Sequence, residues 1–174
     1  MSLYKELTAV SIYLPPDPGG GGKRFLNYIK KINSIYSLKV NVITTSQVNL
    51  KGVNVISNLK YKSNLIYKIF FWTPIVFIQN INLFLFKKRN IYLLISCRDP
   101  LCICIGILCI LFKNDFCIGT TLYKYDDEES LMKSKFSFIF RMLLKNAKVF
   151  ILQSPLFLNK KSSLNNCFII PNGV

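Results

Sequence analysis

The stretch from Ile91 to Thr121, IYLLISCRDPLCICIGILCILFKNDFCIGTT, decides the fold. Its two ends, Ile91–Cys97 and Phe116–Thr121, are short apolar runs rich in β-branched residues, which is typical of buried strands. Between them, Pro100–Phe112 is predicted to be a helix, because proline is tolerated in a first turn where its missing N–H costs nothing. A strand, a helix and a second strand in this order indicate two parallel strands joined by a helical crossover.

The same alternation continues on both sides of this unit. Further strands are predicted at Leu7–Tyr13, Leu38–Thr44, Val53–Ser57, Val149–Leu152 and Cys167–Ile170. Further helices are predicted from Lys23, over Asn64–Phe86 with a break or kink at Pro74, and over Glu128–Asn146. The sequence therefore predicts an α/β domain over residues 1–170. Its expected fold is a Rossmann-like, doubly wound parallel sheet of about seven strands.

Charge and composition exclude several classes of chemistry. The 174 residues include 23 Lys and Arg, 8 Asp and Glu and no histidine, which gives a net charge of +15. Without histidine there is no His-based acid–base catalysis and no His-ligated metal. The positive charge suits a phosphorylated ligand or an anionic membrane surface. The 19 Lys against 4 Arg argue against base-reading nucleic-acid binding and fit a compositional bias equally well.

The cysteines do not form a recognisable site. No pair among the six has the C-x-x-C spacing of a redox or zinc motif. We expect small buried hydrophobic side chains in a reducing compartment, with no disulfide framework and no metal. The first residues have no apolar segment typical of a signal peptide, so we expect a cytoplasmic location.

Two apolar segments are predicted not to cross a membrane. Leu101–Phe112 is too short, and Ile69–Phe86 is interrupted by proline and amides. The long helix over Asn64–Phe86 either packs against the sheet or lies on a membrane surface at the inner face. In the second case its basic rim would be Lys60, Lys62, Lys68, Lys87, Lys88 and Arg89.

Three segments that follow predicted strands could bind a ligand, because ligands of open α/β sheets bind at the carboxyl ends of the strands. The first has the four glycines and two basic residues of a phosphate loop, in a spacing that matches neither a dinucleotide motif nor a Walker A loop. It consists of Gly19, Gly20, Gly21, Gly22, Lys23 and Arg24. The second is Arg98 with Asp99, where Asp99 is either a site residue or a helix cap. The third contains Tyr123, Lys124, Asp126 and Asp127, and its two aspartates are weak catalytic candidates.

Four motifs in order resemble family 4 glycosyltransferases. Residues 13–25, YLPPDPGGGGKRF, resemble the family's opening "yPP.pGG..r" segment, and residues 169–174, IIPNGV, resemble its "vIPNGVd" hinge. Residues 121–127, TLYKYDD, look like the "TllgeDDp" stretch of one subgroup, and residues 150–155, FILQSP, resemble the "vvalSp" strand. The resemblance spans nearly the whole chain.

The resemblance implies the acceptor-side, N-terminal half of a GT-B enzyme. Such an enzyme transfers a sugar from a nucleotide-sugar donor to a glycan or lipid-linked acceptor, with retention of anomeric configuration and generally without a metal or other cofactor. Pro171, Asn172 and Gly173 would begin the hinge to a C-terminal donor-binding domain that the 174 residues lack, so this chain alone is expected to be inactive.

The chain departs from the family in having no histidine in this half, where many members use one. The segment 123–127 occupies the comparable region, and no catalytic residue follows from the motifs. The alternative hypothesis is a non-catalytic basic module that binds anionic lipid or a phosphorylated ligand.

Overall fold

Strands and helices alternate through the residues that the computed structural model describes, which are 5–11, 38–45, 53–55, 64–86, 90–96, 99–119, 137–152 and 167–169. The strands are β1 Glu6–Val10, β2 Lys39–Thr44, β3 Val53–Val55, β4 Asn90–Leu94, β5 Phe116–Gly119, β6 Val149–Leu152 and β7 Cys167–Ile169. The helices are α1 Leu65–Gln79, α2 Ile81–Leu85, α3 Pro100–Leu111 and α4 Ser137–Asn146.

All strand pairs are parallel, in the order β3-β2-β1-β4-β5-β6-β7. The centre of the sheet is the four strands β2, β1, β4 and β5, and β1 pairs with β2 on one side and with β4 on the other. The prediction of an α/β fold with a parallel sheet is confirmed, and the order fits a Rossmann-like fold. The predicted helix from Lys23 lies outside the described residues, so the double winding stays a prediction.

The centre of the core is α3. Residues on every side of this helix are buried, among them Leu101, Ile105 and Leu108. The helix packs against α1, α4, β1 and β4. A helix that is apolar all round is stable only when other elements surround it, which explains its central place in the helix layer.

Helix α4 contributes a narrower apolar stripe to the same core. Ile139, Phe140 and Leu143 are buried, whereas Phe138 and Arg141 are exposed. Lys145 lies in the last turn, where its charge complements the helix dipole. The predicted start of this helix at Glu128 lies outside the described residues.

The long apolar helix is divided at Asn80 and not at the predicted Pro74, which lies inside α1. The Asn80 side chain donates to the Val76 carbonyl at 3.0 Å, and its backbone N–H reaches the Val76 and Phe77 carbonyls at 3.1 Å. Asparagine competes in this way for the carbonyls at a helix end, and α2 then starts at Ile81.

One face of α1 packs against the part of the protein that the structure describes. Lys68, Trp72 and Val76 are buried, while Phe70 and Ile78 are 72% and 70% exposed. The expectation of a helix buried against the sheet therefore holds for one face alone. Lys68, assigned from the sequence to an exposed basic rim, is instead buried, and its Nζ lies 5.8 Å from the centroid of the Trp72 ring.

Candidate functional site

The candidate site is the carboxyl edge of the sheet between β1 and β4. These neighbouring strands are separated along the chain by β2 and β3, so the strand order reverses between them. Chain crossovers leave such a reversal point in opposite directions, which opens a crevice where ligands of open α/β sheets bind. The sheet topology alone therefore indicates the carboxyl ends of β1 and β4 as the position of the candidate site.

Backbone hydrogen bonds align the strand ends at this edge. The Ser11 N–H donates to the Ile43 carbonyl at 3.1 Å, and the Ile95 N–H donates to the Val10 carbonyl at 3.3 Å. Pairing thus continues one residue past the end of β1 and of β4. The first residues to leave these strands, Ser11 and Ile95, consequently lie beside each other at the β1–β4 boundary.

Hydroxyl side chains border this edge. Thr44 ends β2 and Thr45 follows it, Ser11 follows β1, and Ser96 lies two residues beyond β4. Ser11 and Thr44 are buried, and Thr45 and Ser96 are half-buried. Hydroxyl groups both donate and accept hydrogen bonds, as a sugar or phosphate ligand requires. Sequence reasoning missed these four residues, although Ser11, Thr44 and Ser96 are each the first polar side chain after an apolar run.

Asp99 is the helix cap of α3. Its Oδ1 accepts hydrogen bonds from the Leu101 N–H at 2.8 Å and the Cys102 N–H at 3.3 Å, and the side chain is buried. A carboxylate here satisfies two N–H groups that have no partner within the helix and also complements the helix dipole. Of the two interpretations of Asp99, the cap is the one that the structure supports, and the amide groups it occupies are not open to an anion.

Helix α3 is also tied to the end of β1. The Cys102 thiol donates to the Val10 carbonyl at 3.2 Å, the same carbonyl that accepts from the Ile95 N–H. Asp99 and Cys102 thereby hold the first turn of α3 against the β1–β4 boundary. Both are positioning residues for this edge of the sheet.

The other thiols of the described core are poor nucleophiles. Burial raises the pKa of Cys104 to about 12 and that of Cys117 to about 11, and it raises the pKa of Cys109 well above its usual value. A thiol reacts and binds metal as the thiolate, so these groups are inert at neutral pH. Within the described ranges, Cys102, Cys104, Cys109 and Cys117 are thiols that form no disulfide, and the first three are buried as predicted.

Most of the sequence-predicted site residues fall outside the described part of the chain. These are Gly19, Gly20, Gly21, Gly22, Lys23, Arg24, Arg98, Tyr123, Lys124, Asp126 and Asp127, together with the hinge residues Pro171, Asn172 and Gly173. Asp99 is the candidate that the structure describes. Among the described residues, no group of three or more Cys, Asp or Glu side chains is arranged to hold a metal ion.

The described residues therefore define an α/β protein whose parallel sheet reverses its strand order between β1 and β4, with hydroxyl side chains at the carboxyl edge of that boundary. No protein-family model matches this chain, and no curated protein matches it at a significant level. In the ranges that the structure covers, none of the helices has the length and apolar character needed to cross a bilayer.

Proposed function

We infer that this chain is the acceptor-side domain of a retaining glycosyltransferase with the GT-B fold. The proposed reaction transfers a sugar from a nucleotide-sugar donor to a glycan or lipid-linked acceptor. The doubly wound architecture with about seven strands is part of this proposal. The donor binds mainly to a second, C-terminal domain, so the 174-residue chain is inactive by itself.

The observation that carries the proposal is where the strands end. In a parallel sheet all carboxyl ends lie at one edge. Strands β1, β5 and β7 end at Val10, Gly119 and Ile169. The segments that resemble the glycosyltransferase family begin at Tyr13, Thr121 and Ile169, each within three residues of such an end. The segment 150–155 starts inside β6 and continues past its end at Leu152.

The described side chains at this edge support a sugar-binding role. Thr45 and Ser96 are half-buried there, and their hydroxyl groups suit the hydroxyl-rich surface of a glycan, whereas Ser11 and Thr44 are buried behind them in the sheet. Because the carboxylate of Asp99 already accepts from the first turn of α3, the proposal leaves phosphate recognition to Gly19–Gly22, Lys23, Arg24 and Arg98. Tyr123 and Lys124 remain proposed substrate contacts, and Asp126 and Asp127 weak catalytic candidates.

The first test is to read the reading frame downstream of codon 174 on the source DNA. If the frame continues, the longer protein is expressed, and transfer of radiolabelled sugar from nucleotide-sugars to a lipid and glycan extract is measured. We expect transfer by the longer protein and none by the 174-residue chain. A stop codon directly after Val174 would contradict catalysis by this chain.

The phosphate loop is tested in the longer protein with Lys23→Ala/Arg24→Ala. Loss of two charge-assisted hydrogen bonds to a phosphate is expected to lower kcat/KM by about a hundredfold. The matched control is Lys30→Ala/Lys31→Ala, which removes the same charge elsewhere along the chain. An equal loss of kcat/KM in the two variants would show that only the net charge matters. It would contradict the assignment of phosphate binding to the loop.

A further inference from the structure

Helices α1 and α2 present a large apolar surface to solvent. We call it the outer face, and its members are Ile66, Phe70, Phe71, Ile78, Ile81, Leu85 and Phe86. Their exposed fractions run from 39% at Ile81 to 76% at Phe86. Single exposed apolar residues are ordinary on a protein surface, whereas seven of them within 21 residues, with the Phe70 and Phe71 rings in contact, are typical of a surface that meets another apolar phase.

The outer face has no charged side chain. Between Asn64 and Phe86 the sole charged residue is Lys68, and Lys68 is buried beneath this face beside Trp72. The exposed polar side chains of the two helices are amides, such as Gln79 and Asn82. A partner that covers the outer face therefore gains apolar burial without removing a charge from water.

The sides of α1 and α2 opposite the outer face are packed against the core. Trp72 and Val76 are buried against the core, and the Phe77 ring stacks on the Phe112 ring with their centroids 4.9 Å apart. Phe84 stacks in turn on Tyr92 of β4, at 5.3 Å. The outer face is consequently a preformed surface, and binding does not have to fold it.

The charge of the sequence that adjoins the outer face identifies the partner. Residues 18–98 contain 13 Lys and Arg and no Asp or Glu. Lys87, Lys88 and Arg89 follow Phe86 directly in the chain, and Lys60 and Lys62 shortly precede Asn64. An apolar surface with basic residues at both of its chain ends is complementary to an interface that is apolar in depth and anionic at its surface.

The dimensions exclude a membrane span for this helix pair. Helix α1 has 15 residues, about 22 Å at 1.5 Å per residue, against roughly 30 Å of hydrocarbon. The turn at Asn80 then redirects the chain into α2. Contact between two copies through this face would bring two strongly basic segments together, which Coulomb repulsion opposes.

We propose that the outer face of α1 and α2 docks on the surface of an anionic lipid bilayer. Phe70, Ile78 and their neighbours enter the boundary between headgroups and acyl chains, while the flanking Lys and Arg residues meet the anionic headgroups. This proposal does not rest on sugar transfer, since the binding step needs neither a donor nor an acceptor.

The test is sedimentation of the 174-residue chain with vesicles of phosphatidylcholine containing 30% phosphatidylglycerol, and with vesicles of pure phosphatidylcholine. We expect strong binding to the anionic vesicles, and binding about tenfold weaker or more to the neutral ones. Raising NaCl from about 0.1 to 0.5 M should weaken the binding, because the headgroup attraction is screened.

Two matched variants separate the outer face from general hydrophobicity. Phe70→Ser removes a side chain of the outer face that is 72% exposed, and Phe138→Ser removes one on α4 that is 65% exposed. We expect Phe70→Ser to lower the partition coefficient about tenfold and Phe138→Ser to leave it unchanged. Ile78→Ser is a second test of the same face, should Phe70→Ser lose its cooperative thermal melt.

Several results would overturn the proposal. These are no sedimentation of the unmodified chain with anionic vesicles, equal losses in Phe70→Ser and Phe138→Ser, or equal binding to neutral and anionic vesicles. Sedimentation velocity without lipid tests whether a second copy of the chain covers the outer face instead. A dimer that Phe70→Ser converts to a monomer, with vesicle binding unchanged, would assign the outer face to a second copy of the chain.

Discussion

A single carboxylate illustrates what a residue type leaves undecided. Asp99 follows a strand at the edge where ligands bind, and it also precedes a proline that begins a helix. Both positions favour aspartate, one for ligand contact and one for capping. The two hydrogen bonds to the Leu101 and Cys102 N–H groups decide for the cap, because the first turn of α3 would otherwise bury unsatisfied donors.

Replacing Asp99 by alanine tests this role. Asp99→Ala is expected to lower the free energy of unfolding by about 1–2 kcal/mol, since two buried N–H groups lose their acceptor. Asp99→Asn is the control, because asparagine caps helices about as well, and its cost should be clearly smaller. Urea denaturation followed by circular dichroism measures both. Equal costs for the two variants would show that the carboxylate charge, rather than the cap, is what matters.

At the scale of the element, the division of α1 from α2 shows how a local signal can be outweighed. Proline predicts a break or a kink at Pro74, and the break is absent, because α1 continues through Pro74 to Gln79. One helical hydrogen bond is lost at a proline, whereas Trp72 and Val76 on either side of it are buried in the core and gain from helical geometry. The chain instead breaks at Asn80, whose side chain bonds a carbonyl of the preceding turn.

Close packing of α3 on α4 gives a second prediction. A Cβ placed on Gly106 would lie 2.5 Å from Leu143 Cδ2 and 3.1 Å from Leu94 Cδ1. Gly106→Val therefore overpacks the core, and we expect it to lower the free energy of unfolding by about 1–3 kcal/mol.

A double-mutant cycle with Leu143→Ala checks that this cost comes from the contact. Leu143→Ala alone leaves a cavity and should cost about 2–5 kcal/mol. With the leucine removed, the valine has room, so the double variant should be more stable than the sum of the single effects predicts, by about 1 kcal/mol or more. Additive effects would place the cost in the α3 backbone or in the contact with Leu94 of β4 rather than in the contact with α4.

For the whole molecule, the parallel sheet could be predicted from the sequence because short buried strands and helices differ in length and period. The strand ends were less well predicted. The strand expected over Ile91–Cys97 pairs over Asn90–Leu94. Positions 120 and 121 of the strand expected over Phe116–Thr121 lie outside the described residues. At β4 the apolar run continues into Ile95, past the last residue of the strand, so hydrophobicity alone overestimates the length of this strand.

The candidate site was predicted only in part, for a related reason. The edge of the sheet follows from strand alternation, but the hydroxyl border of Ser11, Thr44 and Ser96 depends on which strands are neighbours in the sheet. Likewise, the sequence of α1 is apolar on all sides, and only its packing on α3 shows that Phe70 faces solvent while Trp72 is buried. One sequence does not show which strands and helices are neighbours in space, so contacts that depend on the topology cannot be predicted from it.

The net charge of +15 acts on the molecule as a whole and gives the last prediction. The ion pair between Lys148 and Asp115, with N and O 3.4 Å apart, is exposed and contributes little. Self-repulsion therefore destabilises the compact state, and added salt should relieve it. Raising NaCl from about 0.05 to 0.5 M is expected to increase Tm by about 2–4 °C, which corresponds to roughly 1 kcal/mol for a chain of this size.

Charge variants distinguish this repulsion from a general effect of salt on apolar burial. Lys5 and Arg141 are exposed, and Lys5→Glu/Arg141→Glu removes twice as much net positive charge as Lys5→Gln/Arg141→Gln. Tm at low salt should rise in the order unmodified chain, Gln variant, Glu variant, and the dependence of Tm on NaCl should become shallower in the same order. Parallel salt curves for the three proteins would attribute the stabilisation to strengthened apolar burial, which salt affects independently of charge. If the three Tm curves converge at high salt, long-range charge repulsion is the cause of the lower Tm at low salt, because screening removes this repulsion from all three proteins.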